Sequence, residues 1–219
     1  MTTGTYNTTA EAKAARPPRE FSDFAWTPES AEAAARAIAL YPKGREASAV
    51  MPLLWIAQYQ MGAATGSAWL PIPVIEFVAA QVGMPYMRAY EVATFYTMYN
   101  LKPVGRYLVQ VCGTTPCQLR GSDDLLKACK DKGLVKGGNT ADGLFTLSEV
   151  ECLGACANAP MVQINDDNYE DLTYETMTAL LEALARGETP KTGSAIGRKA
   201  SCPEGGPTTL KEMATSDAR

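Results

Sequence analysis

The chain has 219 residues, 46% of them hydrophobic, and a formal net charge of −4 at pH 7. A chain of this length forms one large or two small domains with a buried core. Its acidic balance offers no basic stripe to neutralise phosphates, which argues against nucleic acid as a partner. No apolar run approaches the roughly 18–20 residues that cross a bilayer. The N-terminus lacks the apolar stretch of a secretory signal and is a poor mitochondrial presequence, so we expect an intracellular protein.

The absence of histidine limits the chemistry further. It excludes Ser-His-Asp and Cys-His catalysis, HExxH zinc sites, Rieske centres and His-ligated haem. A metal site must therefore use cysteine, carboxylate or backbone ligands. Six cysteines in a chain of intracellular character favour metal binding or redox chemistry over a disulfide framework.

The first half of the chain predicts a flexible arm followed by helices. Residues 1–20 are small and polar, as in a flexible N-terminal arm, and residues 21–100 predict a helical bundle. Prolines suited to a first helical turn mark three helix starts: Pro28, Pro73 and Pro85. Thr27 is the expected N-cap of the first helix, and the second helix is expected to end at Gly62.

The composition changes near residue 100, where alternating β-branched and aromatic residues replace the helical pattern. Residues 101–187 predict an α/β domain with the element order β-α-β-β-β-α. Its expected elements are a strand ending at Cys112, a helix over 119–132, a strand ending at Cys152, strands within 161–165 and 168–173, and a helix from Thr173 to Gly187. Residues 188–219, rich in Gly, Pro, Thr and Ser, predict a flexible C-terminal tail.

Two cysteine pairs lie at the ends of the first two predicted strands. Cys112 and Cys117 have the spacing C-x4-C, and thirty-four residues further on Cys152 and Cys156 have the spacing C-x3-C. If those strands are neighbours in one sheet, both pairs open onto the same edge. A [2Fe–2S] cluster takes four thiolates, and one pair per iron is the simplest assignment. The small residues between the cysteines, such as Gly113, let backbone N–H groups approach sulfur.

Two other uses of these cysteines stay open on spacing alone. Four thiolates also hold structural zinc, and the cysteines could instead form disulfides. The two remaining cysteines are set apart by their context. Cys129 shares the apolar face of a predicted helix and is expected in the core, and Cys202 lies in the predicted tail and is expected to be a free exposed thiol.

The cysteine loops and their flanks resemble a known family. The stretches RYLVQVCGTTPCQLRGSDDLL and EVECLGACANAPMVQINDDNYEDLT are similar to the [2Fe–2S] subunit of NADH:quinone oxidoreductase, respiratory complex I. The helical stretch VATFYTMYNLKPVGRY fits the same family. The resemblance covers roughly residues 20–190 and leaves the tail outside.

The resemblance implies an α+β fold, with an N-terminal helical bundle followed by a thioredoxin-like α/β domain that carries a [2Fe–2S] cluster. The ligands it implies are Cys112, Cys117, Cys152 and Cys156. Pro160 occupies a position similar to the proline before a central strand in thioredoxin-like folds.

The implied role is that of an electron-transfer component with no substrate site or catalytic residue of its own. Its cluster would exchange single electrons with the FMN of a partner, the NADH-binding flavoprotein subunit, within the peripheral arm of complex I. The chain has no Gly-rich nucleotide motif that would bind a flavin itself. The implied location is the cytoplasmic face of the bacterial inner membrane rather than the mitochondrial matrix.

Two alternatives accompany this expectation. An equivalent [2Fe–2S] protein in the diaphorase module of an NAD-linked hydrogenase or formate dehydrogenase would have the same site. A structural zinc-binding interaction module is the alternative from a different class.

Overall fold

The computed structural model describes residues 20–206 and 208–210. The chain forms two compact units, with the boundary between Pro103 and Val104. Of the predicted N-terminal arm over residues 1–20, all but Glu20 lies outside the described residues.

The described part of the first unit is helical. Its helices are α1 (Pro28–Ala39), α2 (Val50–Thr65), α3 (Ile72–Gln81) and α4 (Tyr86–Phe95), with a short 3-10 helix (Glu46–Ala49) before α2. Thr27 caps α1 as predicted, because its side chain accepts a hydrogen bond from the N–H of Ser30 at 3.2 Å. Such a cap satisfies a backbone donor that the helix start leaves without a partner.

The predicted end of the second helix at Gly62 is wrong. Helix α2 continues to Thr65, and Gly66 ends it with a φ of +77° that glycine adopts without strain. Gly62 serves packing instead, since a Cβ at this position would lie 3.0 Å from the Cβ of Ala68. The sequence offers two glycines four residues apart, and only the structure separates the packing glycine from the capping one.

The core of the first unit is formed by aliphatic side chains of α2 and α3. Fully buried members include Leu53, Leu54, Ile75 and Val78, each contributing about 1.5–3 kcal/mol through burial. The buried amide of Gln58 fastens the segment after α4 to this core. Its Nε2 donates to the carbonyl of Met98 at 3.1 Å, and its Oε1 accepts from the N–H of Asn100 at 2.8 Å.

The second unit contains a five-stranded mixed sheet in the order β2-β1-β3-β4-β5. Its strands are β1 (Tyr107–Cys112), β2 (Phe145–Val150), β3 (Val162–Ile164), β4 (Asp167–Glu170) and β5 (Gly193–Ser194). Its α-helices in the described residues are α5 (Thr115–Leu119), α6 (Ser122–Asp131) and α7 (Tyr174–Ala185). Strand β1 pairs with β2 in parallel and with β3 antiparallel, β3 pairs with β4 antiparallel, and β4 pairs with β5 in parallel.

The parallel pairing of β1 and β2 determines where the cysteine loops emerge. Cys112, the last residue of β1, lies beside Val150, the last residue of β2. The expectation that the two strands are neighbours in one sheet is therefore confirmed. Strand β2 was expected to reach Cys152 but ends two residues earlier. The carbonyl of Val150 accepts a final hydrogen bond from the N–H of Gly113 at 2.9 Å, after which the chain leaves the sheet.

The helix predicted over residues 119–132 is α6, which begins three residues later than expected, at Ser122, and follows a short helix, α5, that was not predicted. Gly121, with a φ of +105°, breaks the path between α5 and α6. Ser122 is therefore the first residue of α6. Helix α5 was missed because it has only five residues and contains Pro116, which favours a loop as readily as a first helical turn.

Part of the predicted flexible tail is packed against the sheet. Strand β5 (Gly193–Ser194) lies within it, and the N–H of Ala195 donates to the carbonyl of Glu170 at 2.9 Å. The side chain of Arg198 is only 13% exposed. The sequence pattern does not reveal these contacts, because they are made by backbone groups and one ion pair and not by a periodic stripe of apolar side chains. Residues 207 and 211–219 lie outside the described residues.

The predicted fold class is confirmed: a helical region is followed by a mixed α/β unit with its own core. That second core is formed by the inner face of the sheet together with α6 and α7, through residues such as Val109, Leu125, Met177 and Leu181. Thr173 caps α7 with a reciprocal capping box that involves Thr176. Within the described residues, none of the helices combines the length and apolar character needed to cross a bilayer.

Candidate metal centre

The first cysteine pair is buried where β1 passes into α5. Cys112 and Cys117 are each 1% exposed. Cys112 is held by the sheet, and its N–H donates to the carbonyl of Met161 at 3.4 Å. Its Sγ lies 3.3 Å from the hydroxyl oxygen of Thr114. Helix α5 then turns the chain so that Cys117 comes back beside Cys112.

The second cysteine pair lies in the loop that follows β2. Cys156 begins a short 3-10 helix (Cys156–Asn158), and Gly154 before it has a φ of +88°. The Sγ atoms of Cys152 and Cys156 are 3.4 Å apart, and both residues are exposed. Glycine at position 154 lets the chain reverse over three residues without the strain that a Cβ would bring.

Thr114 links the two pairs. Its hydroxyl contacts the Sγ of Cys112 and also interacts with the thiol of Cys152. The backbone N–H of Leu153, next to Cys152, points to Cys112. The structure therefore brings both cysteine loops to the same end of the β1–β2 pair, which is the arrangement that the strand order requires.

Burial and hydrogen bonds separate the pKa values within the first pair. Burial acts to raise the pKa of the Cys112 thiol, but hydrogen bonds from Thr114, from the N–H of Leu153 and from Cys117 together lower it below its ordinary value. Burial and the hydrogen bond to Cys112 raise the pKa of Cys117 to about 11, against a smaller lowering by the N–H of Met161. Cys112 is thus the thiol of this pair that ionises first.

The second pair is divided in the same way. The N–H of Gly154, the thiol of Cys156 and the hydroxyl of Thr114 lower the pKa of Cys152. The pKa of Cys156 is raised, chiefly because its thiol donates to Cys152. In each loop, backbone and hydroxyl donors therefore favour the thiolate form of one cysteine, and the thiolate is the form that binds metal.

The donor set fits a [2Fe–2S] cluster. Two close thiol pairs would offer two ligands to each of two irons, and the surrounding N–H and hydroxyl donors suit anionic sulfur. Within residues 20–206 and 208–210, no three Cys, Asp or Glu side chains are arranged around a single ion. All six cysteines are free, so the disulfide alternative lacks support.

Of the two cysteines outside the site, one lies where the sequence predicted and the other is less exposed than predicted. Cys129 is fully buried in α6, and burial raises its pKa to about 12, so the prediction of a core cysteine is confirmed. Cys202 is half-buried and not fully exposed as predicted. Its backbone carbonyl accepts a hydrogen bond from Arg198 at 3.1 Å, which holds this segment against the unit.

Sequence reasoning missed several polar residues behind the second cysteine loop. Asp171 is buried and forms an ion pair with Arg198, and the hydrogen bonds of that guanidinium keep the pKa of Asp171 below its ordinary value. Asn158 is 3% exposed and donates to Glu170 and to the carbonyl of Ala200. A lone arginine in a Gly- and Ser-rich stretch carries no periodic signal that would reveal such a role.

Pro160 follows this loop directly. Its peptide bond with Ala159 is cis, a point that the resemblance left undecided. The carbonyl of Pro160 accepts a hydrogen bond from the N–H of Leu172 at 3.1 Å. The residue therefore lies between the second cysteine loop and the connection from β4 to α7.

Comparison with known proteins agrees with this fold. The family model for the thioredoxin-like [2Fe-2S] ferredoxin matches residues 34–185, which include all four cysteines of the two loops. The chain belongs to the thioredoxin-like [2Fe-2S] ferredoxin family, whose members bind a [2Fe–2S] cluster.

Curated relatives match most of the chain. It is 54% identical over 166 residues to the E subunit of NADH-quinone oxidoreductase from Rickettsia bellii, covering 75% of this chain and 96% of the relative. The corresponding protein of Rickettsia conorii is 53% identical, with the same coverage. That of Rickettsia prowazekii is 54% identical, covering 73% of this chain and 88% of the relative.

A solved structure shares the fold at low identity. An NAD+-reducing [NiFe]-hydrogenase in its H2-reduced state superimposes with a TM-score of 0.50 at 19% identity, covering 61% of this chain. The present chain spans only 22% of the hydrogenase chain that it matches. This likeness shows the fold alone.

Proposed function

We propose that this chain is the electron-transfer [2Fe–2S] subunit of an NADH-quinone oxidoreductase and that Cys112, Cys117, Cys152 and Cys156 hold its cluster. The observation that carries the proposal is the convergence of the two cysteine loops at the end of the paired strands β1 and β2. The 54% identity to the oxidoreductase subunit from Rickettsia bellii supports the particular complex.

The residues around the cysteines prepare the site. A bound [2Fe–2S] cluster supplies one-electron transfer, which needs neither a general base nor a nucleophile. The buried pair, Cys112 and Cys117, excludes water from one side. The N–H of Leu153 and the hydroxyl of Thr114 donate to sulfur and so favour the thiolate form. Since donors to sulfur also favour added negative charge, they would raise the reduction potential of a bound cluster.

The exposed side of the site is where we place the redox partner. Cys152 and Cys156 are exposed, and Leu119, two residues after Cys117, is 81% exposed. An exposed large apolar side chain beside a redox site suits a protein partner. We propose that this partner is the NADH-binding flavoprotein subunit, which holds FMN, within the peripheral arm of complex I. The complex would place the chain at the cytoplasmic face of a bacterial inner membrane.

The helical unit offers a second surface for assembly with other proteins of the peripheral arm. Met87 is 58% exposed, Phe95 77% and Tyr96 38%, and the last two rings pack edge to face with centroids 5.0 Å apart. Methionine and aromatic side chains are enriched at interfaces between proteins.

The decisive experiment is spectroscopy on the full-length chain purified without oxygen. We expect about two irons and two acid-labile sulfides per chain, and an EPR signal of a [2Fe–2S] cluster after reduction. Serine at any one of the four ligand positions should abolish or alter that signal. The matched control is Cys129→Ala, which removes a thiol from the core and should leave the spectrum unchanged. A colourless protein that contains zinc, or a spectrum that depends on Cys129, would overturn the assignment.

Purification of the native assembly distinguishes the related complexes. Copurification with quinone oxidoreductase subunits supports the proposal. Copurification with hydrogenase or formate dehydrogenase subunits would assign the same cluster to a diaphorase module instead. The likeness to the hydrogenase concerns the fold and does not favour that alternative over the relatives that are 54% identical.

A further inference from the structure

We propose that Arg198 is a positioning residue that fastens the second cysteine loop, and through it Cys156, so that the C-terminal segment helps retain the cluster. This inference rests on the proposed function. It concerns a residue beyond the range 34–185 that the family model matches.

The side chain of Arg198 joins three parts of the second unit. Its Nη2 donates to the carbonyl of Ala157 at 2.7 Å, inside the short 3-10 helix that Cys156 begins. The same guanidinium forms a fork with Asp171, with Nε to Oδ2 at 3.0 Å and Nη2 to Oδ1 at 2.5 Å. Its Nη1 donates to the carbonyl of Cys202 at 3.1 Å. One planar cation thus holds the cysteine loop, the end of β4 and the C-terminal segment together.

Burial makes this fork more than a surface ion pair. The side chains of Arg198 and Asp171 are 13% and 5% exposed, whereas the pair formed by Arg186 and Glu188 is 58% and 55% exposed. Exposed pairs contribute little because water screens them, but removing one partner of a buried pair leaves a charge without compensation. Ser194 adds a hydrogen bond from its hydroxyl to Asp171 at 2.6 Å.

A second connection runs beside the first. The side-chain amide of Asn158 donates to the carbonyl of Ala200 at 2.8 Å and to Glu170 at 2.5 Å. The N–H of Asp171 in turn donates to the carbonyl of Asn158 at 2.8 Å. The backbone of the 3-10 helix is therefore held at both Ala157 and Asn158 by groups that lie outside the cysteine loop.

The contacts of Arg198 matter for the cluster because the second pair of cysteines is exposed. Cys152 and Cys156 lie at the surface in a loop held by few backbone hydrogen bonds, so this loop is the place where a cluster would first be lost. A residue that keeps the 3-10 helix closed slows that loss without touching a ligand. Mutation of residues that orient metal ligands without binding the metal themselves typically changes metal affinity by about 10- to 100-fold.

The test measures release of cluster iron to a chelator from the full-length chain. In Arg198→Gln we expect release roughly tenfold faster or more, together with a changed EPR line shape of the reduced cluster. Asp171→Asn should have the same effect. It leaves the backbone unstrained, because asparagine tolerates the φ of +53° at this position. Arg198→Lys should rescue only partly, since one ammonium group cannot reproduce the planar fork.

Arg186→Gln is the matched control. It removes one arginine charge from an exposed ion pair and should release iron at about the wild-type rate. If Arg198→Gln and Asp171→Asn release iron no faster than Arg186→Gln, with unchanged EPR spectra, the inference is overturned.

A cluster-free measurement separates this inference from the proposed function. In the apoprotein, amide hydrogen exchange at Asn158 and Asp171 reports the closed loop, because both N–H groups donate to loop carbonyls. We expect faster exchange at these two amides in Arg198→Gln than in Arg186→Gln. A wild-type chain that binds no cluster would contradict the proposed function, whereas equal exchange in the two variants would contradict the fastening by Arg198.

Discussion

The hydroxyl oxygen of Thr114 lies 3.3 Å from the Sγ of Cys112, and the same hydroxyl also interacts with Cys152. One side chain therefore serves both cysteine loops. A hydroxyl that donates to ligand sulfur stabilises the more negative, reduced form of a cluster. Its removal should make the cluster harder to reduce.

The first prediction concerns Thr114→Val, which keeps the shape of the side chain and removes the donor. A hydrogen bond is worth about 1 kcal/mol net. If that free energy acts on the reduced form, the midpoint potential falls by about 40 mV for a one-electron couple. Thr115→Val is the control, because Thr115 is exposed and is the next residue in the chain. Equal potentials in the two variants, measured by EPR-monitored titration, would show that the hydroxyl does not act on the cluster.

The second prediction concerns the close approach of the chain to β2 just before β1. A Cβ on Gly105 would lie 2.7 Å from the backbone carbon of Phe145, and backbone atoms have little room to move. We expect Gly105→Ala to lower the free energy of unfolding by about 1–3 kcal/mol. Gly205→Ala should stay within about 0.5 kcal/mol of wild type, because nothing lies within 4 Å of a Cβ there. Urea denaturation of both variants checks the difference, and equal midpoints would contradict the steric argument.

The convergence of the two cysteine loops was largely predictable because its signals are local. Each pair follows a strand whose alternation is visible in the sequence, and the parallel pairing of β1 with β2 brings Cys112 close to the second loop. The sequence alone could not establish that β1 pairs with β2, because strand order depends on contacts between residues that are far apart in the chain. Cys129 was assigned to the core by its helix face, and it is fully buried.

What escaped prediction depends on single polar contacts over long separations. Asp171 and Arg198 are 27 residues apart and lie in stretches without periodicity. Gly62 and Gly66 look equivalent in the sequence, yet the first packs against Ala68 and the second caps the helix. Such distinctions arise from three-dimensional packing, which overrides local propensity.

The third prediction concerns stability at high pH. Tyr99 is 4% exposed, its hydroxyl donates to the carbonyl of Met51 at 2.9 Å, and burial raises its pKa to about 12. The ordinary pKa in an unfolded chain is about 10. The folded state therefore holds the proton more tightly, so this stabilisation is complete below about pH 10 and is lost as the pH rises towards 12.

Tyr99→Phe isolates that contribution. At neutral pH it should cost about 1 kcal/mol for the lost hydrogen bond. Above pH 10 the difference between wild type and variant should shrink, because only the wild type has a buried hydroxyl to ionise. Denaturant unfolding at pH 8, 10 and 11 measures the two curves. A difference that stays constant over this range would contradict a raised pKa for Tyr99.

The fourth prediction concerns docking beside the cysteine site. Leu119 is 81% exposed and lies at the end of α5, two residues after Cys117. If the redox partner covers this surface, Leu119→Asp places an unpaired charge in an apolar contact and should weaken association with the flavoprotein subunit by about tenfold or more. Its EPR spectrum should stay unchanged, since the thiol ligands are intact.

Leu40→Asp provides the matched control for that experiment. Leu40 is 82% exposed at the end of α1, in the helical unit, so both variants replace an equally accessible leucine by the same charged residue. Calorimetric titration of the flavoprotein subunit into each cluster-loaded variant compares the two dissociation constants. Weaker binding of Leu119→Asp alone places the partner at the cysteine end of the second unit. Wild-type affinity in Leu119→Asp would exclude this residue from the contact.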